Sequence, residues 1–154
     1  MTPTKVAVLM GSKSDAERMS GAVKTLEEFG LEPDERVLSA HRNPAEVAEF
    51  AKAARGAGYA AIICGAGMAA ALPGVVAAHT TLPVVGVPLS GSALNGVDAL
   101  YATVQMPKGV PVASVAIDGS ANAALLVVEM LAITDEVMAS KLEGYRMAWS
   151  EQLK

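Results

Sequence analysis

The sequence predicts an α/β fold, a three-layer αβα sandwich in which helices cover both faces of a parallel sheet. Short apolar runs alternate with segments of helical periodicity along the 154 residues, and the connections between them are short. The stretch between Arg55 and Asp98 contains no Asp, Glu, Lys or Arg, as expected for strands that lie under helices on both faces. This length is typical of one domain, which we expect to span residues 1–154.

The first strand is predicted at Lys5–Met10, an apolar, Val-rich run that ends at Gly11. A helix is predicted next, because apolar residues recur at three- or four-residue spacing between an Asp15 N-cap and Gly30. The second strand is predicted at about residues 32–38, which completes a strand–helix–strand unit.

Residues 39–42 are predicted to form the loop between the second strand and the second helix. Asn43 is suited to cap that helix, Pro44 suits its first position, and Glu46 completes a box-like arrangement. Similar patterns predict strands at 59–64, 83–87 and 112–117 and helices at 72–78, 95–103 and 121–133.

The last predicted helix follows a Thr134 cap and covers residues 135–153. Its apolar residues share one face, which we expect to dock on the domain or on a neighbouring copy: Met138, Leu142, Tyr145, Trp149 and Leu153. Apolar residues make up 52% of the chain and charged residues only 18%. A small domain with so little charge is expected to bury surface against copies of itself, so we predict a homo-oligomer.

Composition argues against several classes of partner. With 12 basic and 16 acidic residues and no block of like charge, the chain lacks the positive surface that nucleic acids and anionic membranes attract. Prolines 73, 83 and 88 interrupt the long apolar stretch, so it does not predict a membrane span. The single Cys64 cannot form an internal disulfide and no secretory signal is recognisable, so we expect a cytoplasmic protein.

The loops after the first four strands should meet at the carboxyl edge of the sheet, where ligands of such folds bind. The first loop, Gly11–Asp15, combines hydroxyls with the amino end of a helix, which attracts anions. It lacks the glycine spacing of a Walker A motif. A capped helix with a solvated Lys13 is the alternative interpretation, and Asp15 is either a cap or an acceptor for ribose hydroxyls.

The second loop places His41 beside Arg42. Histidine titrates nearest to neutral pH, so His41 suits a reaction that both donates and removes a proton. Arg42 is able to hold a phosphate through paired hydrogen bonds. Such a pair is more often structural than catalytic, but its position at the carboxyl edge favours function. His79, near the end of a predicted short helix, is interpreted as structural.

The third loop, Gly65–Ala70, matches the pattern G-x-G-x-x-A. It is a weak dinucleotide fingerprint, because the acidic residue expected at the end of the next strand is missing. Its small residues would let the backbone approach a flat ligand, or leave room for carbon dioxide, or serve close packing alone. One cysteine and two distant histidines do not predict a zinc site, and we expect no metal.

Together the loops resemble the class I N5-carboxyaminoimidazole ribonucleotide mutases over nearly the whole chain. The motifs that carry the resemblance are Met10–Asp15 (MGSKSD), Ser39–Pro44 (SAHRNP), Gly65–Gly74 (GAGMAAALPG), Val104–Pro111 (VQMPKGVP) and Asn122–Leu126 (NAALL). The resemblance implies a flavodoxin-like sandwich, an octamer, no metal or organic cofactor, and a phosphorylated aminoimidazole ribonucleotide as substrate. It also implies that a carboxylate leaves the exocyclic amine as carbon dioxide and is captured by ring carbon C4.

The same resemblance implies roles for individual residues. His41 matches the histidine that moves the proton at C4, and Asp15 matches the ribose contact. The positions that match phosphate contacts are Ser12, Ser14 and Arg42. The positions that match contacts to the base and carboxylate are Ser39, Gly67 and Leu72.

Two positions depart from the family pattern. Met68 stands where the family often has glycine, and Ala71 stands where many class I members have a second histidine, which removes one polar contact to the substrate. Two alternatives to the mutase therefore stay open: a class II carboxylase that takes free carbon dioxide, and a non-catalytic nucleotide-binding module. Class II members tend to have lysine after the histidine and a Gly-Arg-Ser-Asn loop, whereas Arg42 and Gly65–Met68 match class I.

Overall fold

Five parallel strands form the sheet of the computed structural model, which describes residues 2–154. In chain order they are β1 (Lys5–Met10), β2 (Glu32–Val37), β3 (Tyr59–Gly67), β4 (Val84–Leu89) and β5 (Ala113–Ser114). Across the sheet their order is β2-β1-β3-β4-β5, the order of flavodoxin-like folds. The predicted parallel sheet is therefore confirmed.

Helices cover both faces of this sheet. In chain order they are α1 (Ala16–Glu28), α2 (Pro44–Ala54), α3 (Leu72–His79), α4 (Val97–Val104), α5 (Ser120–Ala132) and α6 (Glu136–Gln152). Helices α1, α5 and α6 contribute to the hydrophobic core on one face, and α2, α3 and α4 to the core on the other. This arrangement confirms the three-layer αβα sandwich.

Successive residues of β1 belong to different cores. Val6 and Val8 pack with α1 and α5, whereas Ala7 and Leu9 pack with α2 and α3. Because both faces are covered, polar residues do not alternate with apolar ones along the strand. On β3, Cys64 has no exposed surface, and burial raises the pKa of its thiol above the ordinary value.

Helices α1 and α5 approach each other closely at two small residues. A Cβ atom added to Gly21 of α1 would lie 2.8 Å from Oγ of Ser120 in α5, so a larger residue does not fit without movement. The Ser120 hydroxyl donates a hydrogen bond of 2.7 Å to the backbone carbonyl of Arg18. The first turn of α5 thus holds the first turn of α1 in place.

The fifth strand is shorter than predicted. A strand was expected over 112–117, but only Ala113–Ser114 pairs with β4. The amide of Val115 still donates to the Gly86 carbonyl at 3.3 Å. Asp118 then adopts a left-handed conformation, with φ +59°, and its amide donates to the Pro88 carbonyl of β4 at 2.9 Å.

The caps of α1 and α6 also differ from the prediction. Asp15 does occupy the predicted N-cap position of α1, but its side chain makes no capping hydrogen bond. Instead, Ser12 Oγ accepts from the amide two residues later at 3.4 Å, and a 3-10 turn leads into α1. At α6 the cap is not Thr134 but Asp135, whose Oδ1 accepts from the Met138 amide at 3.0 Å. In both places a neighbouring side chain is better positioned to satisfy the first free amides.

Only the first part of the apolar face of α6 docks on the domain. Met138 is buried, and the Tyr145 ring centre lies 5.6 Å from that of Phe29. Trp149 and Leu153 further along are 55% and 85% exposed. Neither α6 nor any other helix within residues 2–154 has the length and apolar character needed to cross a membrane.

Candidate active site

A cavity of about 550 Å³ opens at the carboxyl edge of the sheet. In the strand order, β1 has β2 on one side and β3 on the other, so the connections leave to opposite faces and a crevice opens between them. The volume is in the range of about 300–1,000 Å³ that is typical of small-molecule sites. The lining residues are 11, 12, 14, 15, 18, 39–42, 66–72 and 90–92.

All residues that the sequence singled out for the site line this one cavity. They are His41, Ser12, Ser14, Asp15, Ser39, Arg42, Gly67 and Leu72. Lys13 is not among the lining residues. His79 is also absent from the lining, and its Nδ1 lies 2.9 Å from the Val75 carbonyl oxygen, in keeping with its structural interpretation. Sequence reasoning expected the loop after the fourth strand at this edge but singled out none of its residues, Ser90–Ser92, and it missed Arg18.

The loop after β1 presents two hydroxyls to the cavity. Ser12 Oγ and Ser14 Oγ lie 3.0 Å apart. The amide of Asp15 donates to the Ser12 carbonyl at 3.1 Å, which closes the turn that leads into α1. Neighbouring hydroxyls at the start of a helix form a favourable place for an oxyanion.

The loop after β2 is closed by hydrogen bonds between its two ends. The Asn43 amide donates to the Ser39 carbonyl at 2.9 Å, and the Ser39 amide donates to Asn43 Oδ1 at 2.6 Å. Asn43 does occupy the N-cap position of α2, but its side chain makes no capping bond there. The prediction of a simple helix cap was therefore incomplete: the Asn43 side chain fixes the loop that carries His41 and Arg42.

Arg42 joins the loops after β1 and β2. Its Nη2 donates to the Gly11 carbonyl at 2.7 Å, and its Nε lies 3.3 Å from Ser39 Oγ. These contacts orient the guanidinium at the cavity wall. The neighbouring His41 is exposed and, within residues 2–154, its ring makes no hydrogen bond to the protein. Both imidazole nitrogens are therefore available to a ligand.

The end of β3 contains both a packing glycine and a cavity glycine. A Cβ on Gly65 would lie 2.4 Å from the buried Met19 Sδ, whereas one on Gly67, which lines the cavity, would lie 3.3 Å from the Leu89 carbonyl oxygen. Strand β3 extends beyond its predicted end at 64 because Gly67 still pairs with β4. Met68 has φ +54°, the left-handed region in which glycine is favoured.

The loop after β4 closes the opposite side of the cavity. The Ser90 amide donates to Asp118 Oδ1 at 2.9 Å, and Arg18 Nε lies 3.9 Å from the same oxygen. Arg18 follows Asp15 by three positions, so it lies on the same side of the helix. That spacing is the signal in the sequence that could have identified Arg18.

Positive groups outnumber negative ones in the lining. Arg18, His41 and Arg42 are cationic or able to become so, whereas Asp15 is the one carboxylate among the lining residues. Burial raises the pKa of the Asp15 carboxyl, and the positive charges of Arg18 and Arg42 act in the opposite direction. Such a cavity favours an anionic ligand. Within residues 2–154, no group of three or more His, Cys, Asp and Glu side chains is placed to hold a metal ion.

The family model and similar proteins of known name agree on one family. The family model described as AIR carboxylase matches residues 5–152. The N5-carboxyaminoimidazole ribonucleotide mutase of Saccharolobus solfataricus is 52% identical over 92% of this chain and 89% of that protein. The Escherichia coli K12 protein of the same name is 46% identical over 98% of this chain and 90% of its own.

Two further matches extend this result. The Saccharomyces cerevisiae phosphoribosylaminoimidazole carboxylase is 47% identical over 99% of this chain, which covers 27% of that longer protein. The crystal structure of Treponema denticola PurE superposes with a TM-score of 0.88 at 27% identity, covering 97% of this chain and 94% of that one.

Proposed function

This chain belongs to the AIR carboxylase family, and from that membership we propose that it is an N5-carboxyaminoimidazole ribonucleotide mutase, an isomerase of purine biosynthesis. The observation that carries the proposal is the near full-length identity to proteins of that name. The cavity adds a physical reason, because a histidine, two serine hydroxyls and an arginine from two loops converge there.

The proposed reaction exchanges one bond for another without a redox step. The bond between the exocyclic nitrogen and the carboxylate carbon breaks, its electron pair returns to nitrogen, and carbon dioxide is released into the cavity. Ring carbon C4 then forms a bond to that carbon dioxide and loses its proton, and the amine regains one. His41 carries the proton, since it is the titratable lining residue suited to both acid and base roles near neutral pH.

The phosphate of the substrate is proposed to bind at Ser12, Ser14 and Arg42. The two hydroxyls are adjacent, the helix start attracts negative charge, and the oriented Arg42 guanidinium supplies a charge-assisted donor. Asp15 accepts from the ribose hydroxyls in this arrangement. The base and its carboxylate lie against Ser39, Gly67 and Leu72, whose small or apolar character allows close approach and keeps water away from carbon dioxide.

A single comparison of substrates tests the function. Purified protein is given either N5-carboxyaminoimidazole ribonucleotide or aminoimidazole ribonucleotide with bicarbonate, without ATP, and the C4-carboxylated product is followed. We expect rapid turnover of the first substrate and little from the second mixture. Turnover from the second mixture alone would identify a carboxylase, the activity named in the yeast relative. If neither mixture gives the C4-carboxylated product, the result would favour a non-catalytic nucleotide-binding module.

We further propose that the enzyme works as a homo-oligomer, an octamer by family resemblance. Exposed apolar residues form a stripe along α4 and the turn before it: Leu94, Val97, Tyr101 and Val104. The uncovered end of α6 offers a second apolar surface, so residues 135–153 are proposed to take part in the interface. An apolar patch of this kind is typical of contacts between copies.

Replacing Tyr101 with glutamate is expected to break this assembly. Tyr101 is 62% exposed at the centre of the α4 stripe, and a buried, unpaired carboxylate at an interface would be strongly unfavourable. Light scattering after size-exclusion chromatography should show a large assembly for the wild type and smaller species for the variant. Lys52→Glu, a charge change on the exposed side of α2, serves as the control. A monomeric wild type would contradict the proposal.

The substrate class also bears on location and partners. A phosphorylated nucleotide does not cross membranes unaided, which supports action in the cytoplasm. A cavity of about 550 Å³ suits a single nucleotide, so the proposed partner is the small substrate and not a nucleic acid.

A further inference from the structure

His41 lies at the middle of a loop whose two ends are bonded to each other. The Asn43 amide donates to the Ser39 carbonyl at 2.9 Å, and the Ser39 amide donates to Asn43 Oδ1 at 2.6 Å. His41 is two residues from each end, and within residues 2–154 its own ring makes no hydrogen bond to the protein. The place of the imidazole therefore depends on the shape of the loop backbone.

The Asn43 side chain supplies one of these two bonds. Ser39 is only 8% exposed, so its amide has little access to water and needs a partner within the protein. A backbone amide only donates, so the atom that faces it is the side-chain oxygen of Asn43 and not the nitrogen. Without that oxygen, the Ser39 amide is unsatisfied unless the loop changes its shape.

Helix α2 does not depend on the same side chain. Asn43 makes no side-chain capping bond, and Pro44 has no amide that needs a cap. The first helical bond runs from the Val47 amide to the backbone carbonyl of Asn43, at 3.3 Å. Loss of the Asn43 side chain should therefore affect the loop and leave the helix in place.

Arg42, on the same loop, has an anchor that His41 lacks. Its Nη2 donates to the Gly11 carbonyl at 2.7 Å, so the guanidinium is held from the loop after β1. The two serine hydroxyls proposed for the phosphate also belong to the loop after β1. A change in the backbone around His41 should therefore displace the imidazole more than it displaces the groups proposed to bind the phosphate.

We propose that Asn43 is a positioning residue: its Oδ1, bound to the Ser39 amide, keeps the loop in the shape that presents the His41 imidazole to the cavity. Asn43 is not among the lining residues, so it acts through His41 and not by contact with the ligand. This inference rests on the proposed function, in which His41 carries the proton at C4.

Two substitutions of Asn43 test this role. Asn43→Ala removes the acceptor, whereas Asn43→Asp keeps an oxygen at the same place. We expect Asn43→Ala to lower kcat about 10- to 100-fold, as for a displacement of about 1 Å, and to change the dissociation constant of aminoimidazole ribonucleotide less than about threefold. Asn43→Asp should keep kcat within a few-fold of the wild type. Steady-state kinetics and titration calorimetry measure the two quantities.

A double substitution tests whether Asn43 acts through His41. In protein that already carries His41→Asn, the further change Asn43→Ala should lower the residual turnover less than about twofold, because no imidazole is left to be positioned. A loss as large as that in the wild-type background would show an independent role and would overturn the inference.

Other results would also contradict the positioning role. They are a normal kcat of Asn43→Ala, a loss of affinity equal to the loss of kcat, and a loss of kcat in Asn43→Asp as large as in Asn43→Ala. Should Asn43→Ala not fold, Asn43→Gln takes its place with the same expected loss, because it moves the oxygen by one methylene. If the wild type turns over no substrate, the proposed function itself fails.

Thr80→Ala is the matched control. Thr80 Oγ1 also accepts a hydrogen bond from the amide of a buried residue, Leu82, at 3.2 Å. Leu82 is 8% exposed, as Ser39 is, but neither Thr80 nor Leu82 lines the cavity. Thr80→Ala should therefore lose a comparable bond and keep the kcat and nucleotide affinity of the wild type.

Discussion

Replacing His41 with asparagine is expected to lower kcat by about 10²- to 10⁴-fold, the usual contribution of a positioned acid–base group. Asparagine is similar in size and keeps a donor and an acceptor, but it does not exchange a proton near neutral pH. Because the His41 ring makes no hydrogen bond to the protein within residues 2–154, its replacement should have little effect on the stability of the fold. Nucleotide affinity should therefore stay within a few-fold of the wild type.

The chain provides its own control for this experiment. His79→Asn changes the other histidine, which lies outside the cavity and bonds to the Val75 carbonyl. It should retain normal turnover, whereas His41→Asn should bind aminoimidazole ribonucleotide but scarcely turn over. Steady-state kinetics, calorimetry and near-UV circular dichroism would separate these effects. Normal turnover by His41→Asn would refute the acid–base assignment.

Arg42→Ala is expected to weaken binding of the phosphorylated substrate by roughly 10- to 100-fold, because hydrogen bonds to charged groups are each worth about 1.5–3 kcal/mol. The dephosphorylated nucleoside should bind Arg42→Ala and the wild type with similar, low affinity. A dissociation constant for the nucleotide that does not change would exclude Arg42 from the phosphate site.

Arg42 also bonds to the Gly11 carbonyl and Ser39, so its loss loosens two loops as well as removing a charge. Arg55→Ala is a matched control, because Arg55 likewise bonds to a loop, at the Thr81 carbonyl (2.9 Å) and hydroxyl (3.1 Å). An equal effect of both substitutions on nucleotide affinity would indicate a general loosening of loops instead of a lost phosphate contact.

The sequence was most informative where burial leaves a local pattern. The charge-free stretch from 56 to 97 predicted strands covered on both faces, and β3 and β4 are such strands. The site loops were also predictable, since the carboxyl ends of parallel strands meet at one edge. Because these loops meet at one edge, their order along the chain predicts that Ser12, His41 and Gly67 lie near one another. All three line the cavity.

What the sequence did not reveal depends on contacts between distant residues. The apolar run at 112–117 does not reveal that β5 pairs with β4 only at Ala113–Ser114, or that the chain turns at Asp118 with φ +59°. Arg18 resembled an ordinary charge on a helix surface, because its partner Asp118 is 100 positions away. Likewise, nothing in the local pattern around Asn43 indicated that its side chain would bond to Ser39 in place of capping α2.

The bond between Ser120 and the Arg18 carbonyl also bears on the order in which the protein is completed during synthesis. Every residue that lines the cavity lies between 11 and 92, yet the start of α1 is held by a residue 102 positions after Arg18. At a rate of about 5–20 residues per second, roughly 5–20 s separate their synthesis. The last lining residue, Ser92, precedes Ser120 by 28 positions, so at that rate all the chemical groups of the site exist roughly 1.5–6 s before Ser120 can support the start of α1.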